Sequence, residues 1–368
     1  MKFPFIRPTM PLPTEWTKYL ESAYAQNRYS NFGPVHNEFQ RRLTNSLCPA
    51  GREAVLTSSG TAAITAALLA MDIRGKVLIP SFTFPATLQA LRQAGCEPIF
   101  CDVSESTWEC GVEQVGPLLE SFDVGAVIAV RAFGLCRDLS PLQKLCASRN
   151  VTLIVDSAAA LGGELATGDR VGAQGTVEAF SLHATKVLGI GEGGVLMADQ
   201  SWLPRIRKVL NFGLGSERIG RGFNGKMSEF VSAVGLAVLG HFQEFVTRRR
   251  AIAQRYFDLL TRYPLLRAPQ DPGSPPWQAF PIRLPDHVDV AELVSRASEA
   301  GLELRRYYRP ALHNALEEQS ENSWSCPVAE RLSETTVCWP IYSDARSEEI
   351  EEIVGISASV LDHFCVGA

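Results

Sequence analysis

Nowhere do two of the nine cysteines of this 368-residue chain form a CxxC pair, and none stands at metal-like spacing with the six histidines. That pattern excludes a zinc module, and an odd number of scattered thiols points to reduced cysteines and a cytoplasmic setting. No basic block exceeds Arg248-Arg249-Arg250, and the net charge is -5, so the footprint of a nucleic-acid binder is missing. No apolar run reaches membrane-spanning length. The most apolar stretch, 230–242, is bounded by Glu229 and Glu244 and reads as a buried helix. Pro4 and Pro8 interrupt the start before a signal-peptide core can form, so no secretion is expected. Repeats and low-complexity tracts are absent as well.

What is present is apolar substance: 46% of the residues are hydrophobic, enough for a large core and two or more domains. Short β-rich runs at 54–57, 77–80, 98–101, 126–130, 152–155, 177–181 and 194–198 alternate with helix-compatible segments such as 62–71 and 139–148. Several runs are continuously apolar, as strands covered on both faces must be. The expectation is an α/β fold with a mostly parallel mixed sheet between helices. A long helical pattern spans 227–260, and Pro264, Pro269, Pro272, Pro275 and Pro276 then break the chain. A boundary within 245–275 follows, dividing a large domain with its N-terminal arm (1–250) from a smaller C-terminal α+β domain (251–368). The smaller unit is expected to hold a strand at 279–284, a helix at 290–300 and an acidic helix at 347–353.

Three segments carry candidate chemistry. Thr57-Ser58-Ser59-Gly60-Thr61-Ala62 follows a strand and opens a helix, where small residues let N–H groups and hydroxyls approach a phosphate. An ordinary helix cap would look the same. Val155-Asp156-Ser157 ends an apolar strand in a carboxylate, at the edge where α/β folds bind ligands, although a cap or metal ligand fits too. In Phe180-Ser181-Leu182-His183-Ala184-Thr185-Lys186, followed by Gly189-Ile190-Gly191-Glu192-Gly193-Gly194, a lysine follows a buried strand in a loop of small residues. Desolvation there turns a lysine into a reactive amine. A phosphate site, a strand-end carboxylate and a desolvated lysine together are what a pyridoxal-phosphate (PLP) enzyme needs.

In this order and at these separations the segments resemble the DegT/StrS-type sugar aminotransferases, of the aspartate aminotransferase fold (type I of the PLP enzymes). The resemblance covers nearly the whole chain. It extends to Asn31-Phe32-Gly33-Pro34, Pro80-Ser81-Phe82-Thr83-Phe84-Pro85, Gly222-Phe223-Asn224-Gly225-Lys226-Met227-Ser228-Glu229, Arg306-Tyr307-Tyr308-Arg309-Pro310-Ala311-Leu312-His313 and Trp339-Pro340-Ile341-Tyr342. It implies that Lys186 is the Schiff-base lysine and proton carrier, and that Asp156 pairs with the pyridine nitrogen. Ser59, Gly60, Thr61 and Ser181 would hold the phosphate, and Phe84 would stack on the ring. Asn224, or else Lys226, would reach the phosphate of a partner subunit in a homodimer with shared sites. His183, Glu192 and His313 would border the sugar. The implied substrates are a keto-sugar, most simply a nucleotide-linked 4-keto-6-deoxy sugar, and L-glutamate or L-glutamine as donor. One departure stands out: the family usually has Gln or His three residues after the aspartate, and here that position is Ala159. A related dehydratase chemistry is the rival reading, but those enzymes carry His where this chain has Lys186. An aminocyclitol ketone as acceptor, or a non-catalytic regulator on the same fold, are the others.

Overall fold

The computed structural model describes residues 1–215, 218–316 and 324–365. Seven strands form the main sheet: β1 (Glu53–Thr57), β2 (Gly75–Pro80), β3 (Cys96–Cys101), β4 (Ala126–Val130), β5 (Thr152–Asp156), β6 (Val177–Ser181) and β7 (Gly194–Ala198). Their order is β1-β7-β6-β5-β4-β2-β3. β7 pairs antiparallel with both β1 and β6, and the remaining pairs are parallel. The continuous apolar runs are central strands: every residue of β4 and β7 is buried, because helices cover both faces. Two strands, β8 (Ala279–Arg283) and β9 (Thr336–Pro340), pair antiparallel in a second sheet.

The parallel connections leave the ends of β1, β2, β4, β5 and β6 along one edge, with the start of β7 beside them. Below that edge a buried ion pair ties β6 to the end of β4: Arg131 Nε donates to Glu178 Oε1 at 2.9 Å, with both side chains fully enclosed. Gln174 and the carbonyl of Arg137 take further guanidinium hydrogens, so the pair is hydrogen-bonded as a buried charge requires.

The long helix runs unbroken from Glu229 to Leu260, capped by Ser228 Oγ, which accepts from Val231 N. By length and composition it could cross a membrane, with a mean hydropathy of 1.3 over its apolar window. In the fold it packs as a core helix, with Leu236, Val238, Phe242 and Val246 buried alongside Phe39 and Leu43 of the helix Pro34–Leu47. Its buried Glu229 carboxylate accepts from the N–H groups of Val35 and His36, and so caps that second helix.

Three features differ from the sequence expectation. The helix Gly60–Ala70 starts two residues earlier than the pattern 62–71, because Ser59 Oγ accepts from Ala62 N and caps it. The C-terminal helix extends over Ser347–Cys365, since the apolar spacing of Ile353, Val360 and Leu361 continues well past its acidic first turn. The first residues of the chain lie against the C-terminal unit: Phe3 N donates to Gly301 O at 2.8 Å, and Phe3 bridges Leu302.

Candidate active site

A cavity of about 350 Å³ opens at the carboxyl edge of the main sheet. Ser59, Gly60, Thr61, Phe84, Asp156, Ser181, His183, Lys186 and Glu192 all line it, as does Ala159. Asn224 and His313 do not. Asn224 is exposed in a bridge to Asn211, outside the cavity wall. His313 is held elsewhere by both ring nitrogens, Nδ1 by Ser81 Oγ and Nε2 by Glu330 Oε1 at 2.9 Å.

At one end of the cavity the helix Gly60–Ala70 presents its N-terminus. Ser59 spends its acceptor on the cap, and the first intrahelical bond goes to Ala63 N. Gly60 and Thr61 therefore keep N–H groups without a helical partner. Gly60 has a steric role as well. A Cβ there would lie 2.9 Å from Ser181 Cβ, so only glycine lets the helix start approach the end of β6 this closely. The result is a positive, hydroxyl-lined concavity suited to a phosphate.

Asp156 sits at the end of β5, 5% exposed. Thr87 Oγ1 donates to Oδ2 at 2.7 Å and Ala158 N to Oδ1 at 3.1 Å. Burial raises its pKa, while those two donors and Lys186 work against the rise. Among the described residues no cation lies within ion-pair distance of it. A buried carboxylate held in place and still lacking a cation fits a protonated ring nitrogen.

Lys186 lies in a loop that closes on itself. Leu182 N donates to Gly193 O, Ala184 N to Gly191 O, and Ile190 N to Leu182 O. A Cβ on Gly189 would fall 2.5 Å from the Ala184 carbonyl oxygen, so the tight return needs glycine there. The residue is half-buried, and desolvation of its amine pushes its pKa down to about 8, with Asp156 opposing and Arg249 assisting. Nζ donates to Gln278 Oε1 at 2.6 Å. At the rim, His183 Nε2 stands 3.7 Å from Glu192 Oε1, both side chains largely exposed.

Sequence reasoning assigned no role to Thr87, Gln278, Tyr307, Tyr308 or Ile6, yet all five line the cavity. Thr87 was within reach, lying on the helix that Phe84 opens. The tyrosine pair carried a motif but no evident role. Tyr308 stacks on Phe133 at 5.0 Å and on Tyr307 at 5.8 Å, and these rings line the cavity together with Ala159, which offers it no polar side chain. Gln278 has no local signal, because only the return of the chain at β8 brings it to Lys186.

Comparison with known proteins decides what this arrangement belongs to. Residues 12–357 match the DegT/DnrJ/EryC1/StrS aminotransferase family. The chain belongs to that family. This aminotransferase is 31% identical over 376 residues to Protein Rv3402c of Mycobacterium tuberculosis, covering 96% of this chain and 89% of the relative. It is 25% identical over 363 residues to the dTDP-4-amino-4,6-dideoxy-D-glucose transaminase of Escherichia coli, covering 95% and 96%. Among solved structures it is similar to DesI, determined in the presence of its TDP-sugar product, with 27% identity, a TM-score of 0.87, and coverage of 97% of this chain and 93% of that one. The enzyme is thus a PLP-dependent sugar aminotransferase of fold type I.

Proposed function

We propose that the enzyme moves the amino group of L-glutamate or L-glutamine onto a nucleotide-linked 4-keto-6-deoxy sugar in the cytoplasm, using the cavity at the carboxyl edge of the sheet. The observation that carries this reading is the convergence of Lys186, Asp156 and the helix start Ser59–Gly60–Thr61 on one enclosed space. The donor set fits PLP. Gly60 and Thr61 N–H groups and the Ser181 hydroxyl suit its phosphate, Asp156 suits its ring nitrogen, Phe84 suits its face, and Lys186 would hold it covalently. When bound, PLP supplies an electrophilic carbon and a ring able to take up electrons.

The chain's own residues then have distinct tasks. Asp156, anchored by Thr87 and Ala158, keeps a proton on the facing nitrogen. Lys186 Nζ, desolvated enough to be neutral near pH 8, takes the proton from the donor's α-carbon and returns one to the sugar carbon. The His183–Glu192 rim faces outward, where a sugar would enter. The dTDP-sugar transaminase of Escherichia coli and DesI with its TDP-sugar product support the substrate class. Incubation with a panel of keto-sugar nucleotides and L-glutamate tests it. An amino sugar is expected, and a deoxy-keto product or no turnover with any member would overturn the reading.

Gly60→Ala offers a check on the phosphate site. The added methyl collides with Ser181, and overpacking of this kind costs roughly 1–3 kcal/mol. PLP affinity, measured by absorbance titration, is expected to fall accordingly with the fold retained. Unchanged affinity would move the phosphate elsewhere.

Two observations support a homodimer with shared sites. Asn224, exposed and off its own cavity, meets a phosphate only if it is delivered to a second copy. Phe212, Leu214, Ile219 and Phe230 lie exposed along the same part of the chain. Lys226, the other candidate, is bonded to Asn211 Oδ1 at 2.9 Å within its own subunit. Mixing inactive Asn224→Ala and Lys186→Ala proteins should restore activity, since one site per hybrid dimer draws both intact residues. No recovery in a mixture shown to exchange subunits would count against sharing.

A further inference from the structure

A lysine side chain is a long flexible stem, and the direction of its amine is set by whatever holds the tip. Among the described residues a single hydrogen bond holds Lys186 Nζ, the one it donates to Gln278 Oε1 at 2.6 Å. Asp156 acts on the amine through its charge, without a hydrogen bond to it. A neutral amine has two hydrogens and one lone pair. Because hydrogen bonds favour a near-linear N–H···O line, giving one hydrogen to Gln278 turns the lone pair away from the amide and narrows where it can point.

The backbone that carries Gln278 is itself fixed. Its N–H donates to Phe133 O at 3.3 Å, and Arg249 Nη1 donates to the carbonyls of Trp277 at 3.0 Å and Gln278 at 3.3 Å. Trp277, 5% exposed, has a φ of +51°, a left-handed conformation that a bulky residue adopts only where its surroundings impose it. Phe257 and Phe280 impose it here, with ring centroids 5.8 and 5.3 Å from the indole. Strain of this kind persists where it directs a functional group. The residue that follows Trp277 is Gln278, in the cavity wall beside Lys186, and β8 begins directly after it.

We infer that Gln278 is a positioning residue for Lys186: its amide oxygen fixes the direction of the Nζ lone pair for attachment of the cofactor. The inference rests on the reading of Lys186 as the point of attachment. In that condensation the lone pair forms a bond to the aldehyde carbon, and the two hydrogens of the amine leave with the aldehyde oxygen as water. An amide suits the task because its oxygen accepts a hydrogen without adding charge. A carboxylate in the same place would favour the charged amine, whose lone pair is taken up by a proton.

The test follows attachment of PLP to the cofactor-free protein by absorbance. Its non-reacting probe is pyridoxine phosphate, which carries the ring and the phosphate but has an alcohol in place of the aldehyde and cannot bond to Lys186. Gln278→Leu keeps most of the side-chain bulk and removes the acceptor. Attachment should slow about ten- to hundred-fold, the effect of a slightly misplaced reacting group, while the affinity for pyridoxine phosphate, measured by calorimetry, stays put. Gln278→Glu should instead move the midpoint of the attachment pH profile above the wild-type value near 8, since an opposite charge beside the amine favours its charged form. Attachment as fast in Gln278→Leu as in the wild type, or an unmoved midpoint in Gln278→Glu, would overturn the positioning role. So would an equal loss of pyridoxine phosphate affinity in Gln278→Leu, because altered packing would then account for both effects. Each of these results leaves Lys186 as the attachment point. A wild-type protein whose borohydride-reduced adduct maps to another residue would sink the Lys186 reading, and the positioning role with it.

Discussion

Replacing Lys186 by Ala is expected to abolish turnover, with a loss of at least about 10³-fold, within the 10²–10⁴ range typical of a positioned acid–base group and compounded by the lost covalent hold. The visible absorbance of the PLP-loaded protein should disappear with it, and a borohydride-stable adduct surviving in Lys186→Ala would refute the assignment. The lysine also predicts a pH profile. Burial favours the neutral amine and places its pKa near 8, so attachment of PLP to the cofactor-free protein should speed up as pH rises towards 8 and level off above it. A midpoint near 10.5, the ordinary lysine value, would mean that the amine is solvated in the working protein.

Asp156→Asn should leave the fold intact and cut transamination on the order of 10²–10³-fold, the usual effect of removing one preorganised electrostatic partner from an enclosed site. The amide has nearly the carboxylate's shape and can still accept from Thr87, so the damage should fall on the facing nitrogen's proton and not on packing. A second readout separates the two roles. Asp156 is the acid that holds the Lys186 pKa up, so the midpoint of the attachment profile should move further below 8 in the variant. Near-normal turnover together with an unmoved midpoint would make Asp156 a purely structural strand-end residue.

Much of the site was legible because its parts are short and local. The apolar run of β5 ending in Asp156, the β6 run ending in Ser181, and the small-residue loop carrying Lys186 each declare themselves within a window of ten residues. Topology then needs only the parallel crossover rule to put their ends on one edge. Residues that act across the chain have no such signature. Gln278 reaches Lys186 over 92 positions, and Arg249 looked like part of a solvated basic run until its helix was packed against Ser343 and the start of β8. His313 shows the converse, since a motif histidine is drawn to Ser81 and Glu330 when the fold offers it two partners away from the cavity.

By itself, then, the sequence determined the strands, the capped helix start at Gly60, the strand-end carboxylate and the loop lysine, because hydrophobic period, capping and glycine-rich turns act over a few residues. Only the tertiary structure decided that the N-terminal arm lies on the C-terminal unit and brings Ile6 to the cavity wall, that Asn224 stays exposed outside its own cavity, and that Arg249 is buried against Ser343. Those outcomes depend on which distant surfaces exclude water together and which buried charges find partners when they do, and that is settled by packing among elements far apart in the chain.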